Sequence, residues 1–208
     1  MTLDAIAELI MKKAGNNARF LVAIAGAPGS GKSTTAENLH ALLNRGRPGT
    51  AALVPMDGYH YDNSVIEPMG LLPKKGSPQT FNTGGLLADL QRIKTGNEDV
   101  AVPVFDRSAD LARANARVVS KSSRIVLVEG NYLLLNDPEW RDVGAVFDLS
   151  IYLEVTESEL ERRLIQRWLD YGFDLETARA KALGNDIPNA RLVRTNSLPA
   201  DISFDSLD

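Results

Sequence analysis

The sequence predicts an α/β fold in which helices cover a mainly parallel sheet. Short apolar runs recur along the chain, bounded by glycine or polar residues, and such runs are typical of strands buried on both faces. Segments with helical periodicity lie between them, and this alternation favours a layered architecture. The chain has 208 residues, of which 44% are apolar, and this is enough for one domain with a large core. We therefore expect residues 1–208 to form a single domain.

The elements follow one another without a repeat or a dividing linker. Strands are predicted over residues 20–25, 51–56, 124–129 and 149–155, with a last strand in the segment ADISF. Helices are predicted over residues 2–14, 32–44, 86–95, 156–171 and 174–184. The segments VAVPVF and ARVVS predict a hairpin-like excursion. Thr2, Thr156 and Asp174 are the expected N-caps, and Pro188 is expected to end or redirect any helix beyond it.

The segment GAPGSGKS matches the phosphate-loop pattern G-x-x-x-x-G-K-[ST] in full. It follows an apolar strand and precedes a helix, which is the context that the pattern requires. Glycines let successive main-chain N–H groups surround a phosphate, and the helix N-terminus favours an anion. Lys32 is expected to reach the β- and γ-phosphates of ATP, and the Ser33 hydroxyl to bind Mg²⁺. The predicted nucleotide-binding residues are Gly26, Ala27, Pro28, Gly29, Ser30, Gly31, Lys32, Ser33 and Thr34. With this loop, the fold class becomes a three-layer P-loop NTPase sandwich.

Two acids stand where ligands bind in open α/β sheets, at the carboxyl ends of strands. Glu129 ends the strand RIVLVE and is a candidate Mg²⁺ ligand, or else an ordinary acid at a strand end. Asp57 follows the second strand and is a candidate base for an acceptor hydroxyl. As a residue before Gly58, it is equally well explained as a turn former.

The helix from Thr156 places Arg163 and Arg167 one turn apart on one face. Two such guanidinium groups suit a helical lid over residues 156–190 that closes on a transferring phosphate. The alternative is a solvated face, paired with Glu159 or Asp170 by helical spacing. Residues 57–84 are rich in glycine and proline and form the expected substrate-binding insertion.

Charge and composition exclude several classes of function. The net charge is −4, which argues against a nucleic-acid partner. The chain has no cysteine and two histidines, so thiolate chemistry and Cys-based zinc sites are excluded. Acids near the N-terminus argue against a secretory signal, and no apolar run is long enough for a membrane span. We expect a cytoplasmic protein; its oligomeric state is left open, a homodimer included.

The chain resembles the phosphoribulokinase/uridine kinase/pantothenate kinase family of P-loop kinases, and most of all its small bacterial members described as fructose transport system kinases. The matching segments are GAPGSGKST, VPMDGYHYDN, KKGSPQTFN, PVFDRSAD, VEGNYLLL and NDIPNARLV. They follow the order seen in the family and cover most of residues 20–194. One departure is Gly58, because uridine kinases usually carry serine after the aspartate.

The resemblance implies a role for each matching residue. Asp57 becomes the catalytic base, Glu129 lies near Mg²⁺, and Arg163 and Arg167 become the lid arginines. The implied acceptor-binding residues are Tyr59, His60, Asp106, Arg107, Asn185 and Asn189. The reaction implied is transfer of the γ-phosphoryl group of ATP to a hydroxyl of a small molecule, with Mg²⁺ as cofactor.

The acceptor itself stays open among a sugar of the fructose type, a nucleoside and a pantothenate-like compound. Three rival classes are weighed against a kinase. A GTPase switch is disfavoured because neither N-K-x-D nor D-x-x-G occurs in the chain. An ATP-hydrolysing motor subunit usually needs a larger chain. A non-catalytic nucleotide-binding regulator would not need Lys32, Ser33, Asp57 and Glu129 together.

Overall fold

The computed structural model describes residues 1–205, so the last three residues of the expected domain lie outside it. Its strands are β1 (Phe20–Gly26), β2 (Ala51–Pro55), β3 (Val100–Asp106), β4 (Leu111–Val119), β5 (Ile125–Gly130), β6 (Leu149–Glu154) and β7 (Ile202–Asp205). Its helices are α1 (Leu3–Ala14), α2 (Lys32–Asn44), α3 (Asn63–Ile66), α4 (Thr83–Thr95), α5 (Pro138–Gly144), α6 (Glu157–Asp170), α7 (Leu175–Lys181) and α8 (Ile187–Asn196). A π turn, Ala182–Asp186, joins α7 to α8.

Five strands form one sheet in the order β2-β5-β1-β6-β7, and every neighbouring pair is parallel. The predicted parallel sheet is confirmed. Strands β1 and β5 are buried along their whole length, as expected for strands covered on both faces. Because β5 lies between β1 and β2, the carboxyl ends of these three strands meet at one edge, which places the segments that follow them side by side.

Apolar side chains pack on both faces of this sheet, so the fold is a three-layer α/β sandwich. Helices α1 and α2 cover one face through residues such as Ile6, Ile10 and Leu39. Helices α4, α5 and α8 cover the other face. A third, smaller cluster joins Ala27 of the phosphate loop to Leu160 and Leu164 of α6. The phosphate loop therefore rests on the helical segment that was predicted to be a lid.

The predicted hairpin is present as the antiparallel pair β3–β4, which stands apart from the main sheet. Its Arg117 donates a hydrogen bond to the carbonyl oxygen of Leu53 in the edge strand β2, at 3.0 Å. Residues 57–84 contain only short helical turns, Met56–Tyr59, Leu72–Lys74 and Pro78–Thr80, besides α3 and the start of α4. The insertion is thus built from turns, in keeping with its glycine and proline content.

The N-caps predicted from sequence are confirmed, since the side chains of Thr2, Thr156 and Asp174 each accept a hydrogen bond from a main-chain N–H group three residues on. Two features differ from the prediction. Helix α5 was not predicted, although Asp137 caps it and Pro138 is in its first turn. Pro188 does not end a helix; it lies in the first turn of α8, where its missing N–H group costs least.

Candidate active site

The phosphate loop lies between the end of β1 and the start of α2. Gly29 and Gly31 have φ angles of 81° and 89°, in the left-handed region that glycine enters without strain. Gly31 is also the N-cap of α2, so the first N–H groups of the helix face the loop. Lys32 is buried and its Nζ donates to the carbonyl oxygen of Ala27 at 2.8 Å. This arrangement provides a cradle of main-chain N–H groups with one lysine beside it.

The strand-end acids converge beside this loop. Glu129 lies at the end of β5, and Asp57 in the turn that follows β2. Burial and the nearby charge of Asp57 raise the pKa of Glu129, while Lys32 and a hydrogen bond from Ser33 oppose the shift. Burial lowers the pKa of Lys32, against the attraction of Glu129 and Asp57. Lys32, Ser33 and the two carboxylates are therefore close enough to interact electrostatically within a single site.

The donor atoms fit a magnesium ion. Hard oxygen ligands suit Mg²⁺, which usually takes one or two protein ligands together with phosphate oxygens and water. The Ser33 hydroxyl lies close enough to the Glu129 carboxylate to stabilise its charged form, and the two groups form such a pair. Within residues 1–205, no three carboxylate or histidine side chains are grouped to hold a metal by themselves. The site thus suits a metal that arrives with a phosphate ligand.

These groups line one end of an open cavity of about 1050 Å³. Its floor is the phosphate loop, and its walls come from the insertion, the β3–β4 hairpin and the segment from α6 to α8. Among the predicted residues, the cavity is lined by Pro28, Gly29, Gly31, Lys32, Ser33, Thr34, Asp57, His60, Arg107, Glu129, Arg167, Asn185 and Asn189. Gly26, Ala27 and Ser30 lie beneath this lining, and Ala27 and Ser30 are fully buried or nearly so.

Asp57 and Arg107 both line the cavity and form an ion pair. The Arg107 guanidinium also lies 5.7 Å from the ring centroid of Phe105, within cation–π range. His60 packs between Phe81 and Phe105 at centroid distances of 4.0 and 4.8 Å. Its Nδ1 donates to the carbonyl oxygen of Asp57 at 2.8 Å, and burial lowers the pKa of the imidazole. The candidate base therefore has the Arg107 guanidinium and the His60 imidazole as neighbours, and Phe105 contacts both of these groups.

Outside the phosphate loop, three predicted site residues do not line the cavity. Tyr59 ends the helical turn Met56–Tyr59, and its side chain is buried in the core, where it donates to Asp89 at 2.9 Å. Asp106 accepts hydrogen bonds from Ser108 and Ala109 and so stabilises the turn of the hairpin. Arg163 pairs with Glu159 at 2.6 Å, the helical pairing that was the alternative to a lid role. Of the two predicted lid arginines, Arg167 faces the cavity.

Several lining residues were not assigned from the sequence. Lys75 donates to Asn63 and to the Asp110 carbonyl, both at 2.7 Å, and ties the insertion to the hairpin. Trp168 and Asp186 line the wall opposite the insertion. The segments that contain Lys75 and Asp186 were recognised as family motifs. The presence of a charged residue inside each motif was the signal that could have identified Lys75 and Asp186 as site residues.

Comparison with known proteins agrees with this architecture. Residues 21–205 match the model of the phosphoribulokinase / uridine kinase family. A crystal structure from Silicibacter sp. TM1040, provisionally described as a fructose transport system kinase, is 46% identical. It superposes with a TM-score of 0.92 over 98% of this chain and 99% of that one.

Two curated relatives carry other names. A pantothenate kinase of Bradyrhizobium sp. (strain ORS 278) is 36% identical over 157 residues, 72% of this chain and 49% of that protein. A Schizosaccharomyces pombe protein provisionally named uridine kinase C227.14 is 33% identical over 91% of this chain and 84% of its own length. This chain thus spans about half the length of the pantothenate kinase it matches.

The fold and the site define a P-loop kinase, a phosphotransferase with an alcohol group as acceptor. The chain belongs to the phosphoribulokinase / uridine kinase family. Within the described residues no helix is long and apolar enough to cross a bilayer.

Proposed function

We propose that the protein transfers the γ-phosphoryl group of ATP to a hydroxyl group of a sugar of the fructose type, with Mg²⁺ as cofactor. The acceptor oxygen attacks the γ-phosphorus, the bond from that phosphorus to the β–γ bridging oxygen breaks, and ADP leaves. The proton of the acceptor hydroxyl passes to the Asp57 carboxylate.

The observation that carries the proposal is the position of Asp57. It lies in the same cavity as Lys32, and the two are close enough for their charges to interact. An acid at this place can accept a proton from a hydroxyl aligned with the phosphate tail. The Arg107 guanidinium holds the carboxylate by an ion pair, which fixes its orientation in the cavity.

The remaining groups act on the phosphate. The N–H groups of the phosphate loop and of the first turn of α2 bind the tail, and Lys32 moves from the Ala27 carbonyl to the terminal phosphates. Arg167 offsets charge on the transferring group from the opposite wall. Ser33 and Glu129 would hold Mg²⁺, which would supply positive charge beside the phosphates.

Two observations support a sugar as acceptor. The relative provisionally described as a fructose transport system kinase is 46% identical over nearly its whole length. The cavity is also lined by the aromatic ring of Phe105 and by the polar side chains of His60 and Asn185. Such a mixture suits a ring with several hydroxyl groups.

A pantothenate-like acceptor is the second candidate. It is supported by the relatives named pantothenate kinase, of which one is 36% identical over 72% of this chain. Lys75 and Arg107 in the cavity are also compatible with a carboxylate on the acceptor.

ADP release in the presence of a panel of compounds tests the proposal. Fructose, other hexoses, uridine and pantothenate are offered with Mg·ATP, and the product is identified by mass spectrometry. We expect a sugar to accelerate ADP release well above the rate with ATP alone. We also expect Lys32→Ala and Asp57→Asn to lower kcat by about 10²–10³ while the protein stays folded.

Asp170→Asn is the matched control for Asp57→Asn, since Asp170 is exposed and bonded to Gln166 on α6, outside the cavity. Phosphorylation of pantothenate or uridine alone would replace the sugar assignment. Normal turnover by Asp57→Asn would overturn the role of the base.

A further inference from the structure

One carboxylate on the cavity wall has no part in the reaction described above. The Asp186 side chain is only 12% exposed, and each of its oxygens has a different partner. Oδ1 accepts from a terminal nitrogen of Arg167 at 3.0 Å, and Oδ2 accepts from the indole Nε1 of Trp168 at 2.6 Å. A buried charge needs such partners, and removing one leaves the other uncompensated. Asp186 therefore fixes two consecutive side chains of α6.

The backbone explains how an acid reaches this place. The N–H group of Ile187 donates to the carbonyl oxygen of Ala182, five residues earlier, which is the π-helical pattern. Pro188 has no N–H group, so an α-helical bond back to Gly184 cannot form at this point. The wider turn carries Asn185 and Asp186 on the side that lines the cavity. Such π turns inside helices are frequent at functional sites.

The contacts of Arg167 leave one of its hydrogen-bond donors without a partner among the described residues. Its Nε is buried and has no hydrogen-bond partner within residues 1–205. Its guanidinium carbon lies 5.6 Å from the ring centroid of Trp168, and Arg167 lines the same cavity as Lys32. Two cations that face one cavity repel each other unless an anion lies between them. The buried, unpaired Nε indicates a further hydrogen-bond acceptor at Arg167, and the two cations of the cavity favour an anionic one.

We propose that Asp186 is the positioning residue of Arg167, presenting its guanidinium to the terminal phosphate of the bound nucleotide. Trp168 completes the arrangement by holding the second carboxylate oxygen. The proposal rests on the proposed function, because it takes the ligand of the phosphate loop to be a triphosphate. Asp186 touches neither substrate; it acts through Arg167.

Calorimetric titration with AMP-PNP and with ADP, each with Mg²⁺, tests this without any acceptor. A charge-assisted bond to the terminal phosphate is worth about 10–100-fold in affinity. We expect Arg167→Met to weaken the binding of AMP-PNP by about this factor and to weaken the binding of ADP far less. Asp186→Asn should weaken the binding of AMP-PNP about tenfold, again with a much smaller effect on the binding of ADP. A general structural defect would weaken both nucleotides alike, so the ratio of the two dissociation constants separates the roles.

The double variant Asp186→Asn/Arg167→Met gives the sharper comparison. If Asp186 acts through Arg167, the double variant binds AMP-PNP no more weakly than Arg167→Met alone. Additive losses would overturn the proposal, as would an unchanged ratio of dissociation constants in Asp186→Asn. Trp168→Phe keeps the ion pair but removes the indole donor, and it should give a smaller loss in the same direction. It keeps the test decisive if Asp186→Asn fails to fold.

Asp170→Asn, on the same helix but outside the cavity, is the control and should leave both affinities unchanged. Failure of the proposed function has a different signature, since no compound of the acceptor panel would then accelerate ADP release, whatever the nucleotide affinities are.

Discussion

At the scale of single residues, Gly58 decides whether the turn that bears Asp57 can pack on the hairpin. A Cβ atom added to Gly58 would lie 2.3 Å from the carbonyl oxygen of Pro103 and 2.6 Å from its carbonyl carbon. Both are main-chain atoms of β3, so no side chain can rotate to make room. This close approach gives a physical reason for the glycine where uridine kinases usually carry serine.

We expect Gly58→Ala to displace either the turn or β3. Overpacking of this kind costs about 1–3 kcal/mol of stability, and a shift of about 1 Å at the base lowers turnover by about 10²-fold. Unfolding by urea measures the effect on stability, and kcat with the acceptor found in the compound panel measures the effect on turnover. Gly46→Ala is the control, because nothing lies within 4 Å of a Cβ atom there. Equal stability and turnover in the two variants would refute this account.

Residue chemistry alone predicted the phosphate loop and placed both acids at strand ends, although it left Asp57 equally well explained as a turn former. It did not distinguish Tyr59 from His60, which are adjacent in sequence but point to the core and to the cavity respectively. Nor did it reveal Asp186, whose partners Arg167 and Trp168 are 19 and 18 positions away. Such contacts depend on how helices pack, and a single sequence does not record this.

At the scale of elements, buried strands and capped helices were predictable, because their periodicity and caps are local. Helix α5 is short, with seven residues, and so offers too few turns for a periodic pattern. The π turn was equally hidden, since Pro188 signals an interruption but not that the chain continues as α8. The sequence also does not show that α6 supports the phosphate loop.

That support yields an element-scale prediction. Leu164 of α6 is fully buried, and its Cγ would lie 3.1 Å from a Cβ atom built on Gly29. We expect Leu164→Ala to cost about 2–5 kcal/mol of stability and also to weaken nucleotide binding, because the loop loses its backing. Leu90→Ala on α4 is the control, being equally buried but on the far face of the sheet. Calorimetric titration of both variants under conditions where they are folded makes the comparison, and equal affinities would contradict the expectation.

At the scale of the whole molecule, the site combines separate layers of the sandwich. Lys32 comes from the helix after β1, Asp57 from the turn after β2, Glu129 from β5 and Arg167 from α6. The parallel order β2-β5-β1 brings the first three together at one edge. The segment from α6 to α8 closes the cavity from the other side, and Asn185 in it donates to the Lys75 carbonyl of the insertion at 2.8 Å.

A site built from all layers should couple nucleotide binding to the unfolding of the entire chain. At a concentration 100 times its dissociation constant, a ligand of the native state adds about 2.7 kcal/mol. For a chain of this size that raises Tm by about 5–10 °C. We therefore expect calorimetry with Mg·AMP-PNP to show one cooperative transition shifted by this amount, and no shift in Lys32→Ala, which lacks the central cation. A separate transition for residues 156–190 that alone responds to nucleotide would instead mean that this segment folds independently of the sheet, and that the cavity wall it forms is a detachable subdomain.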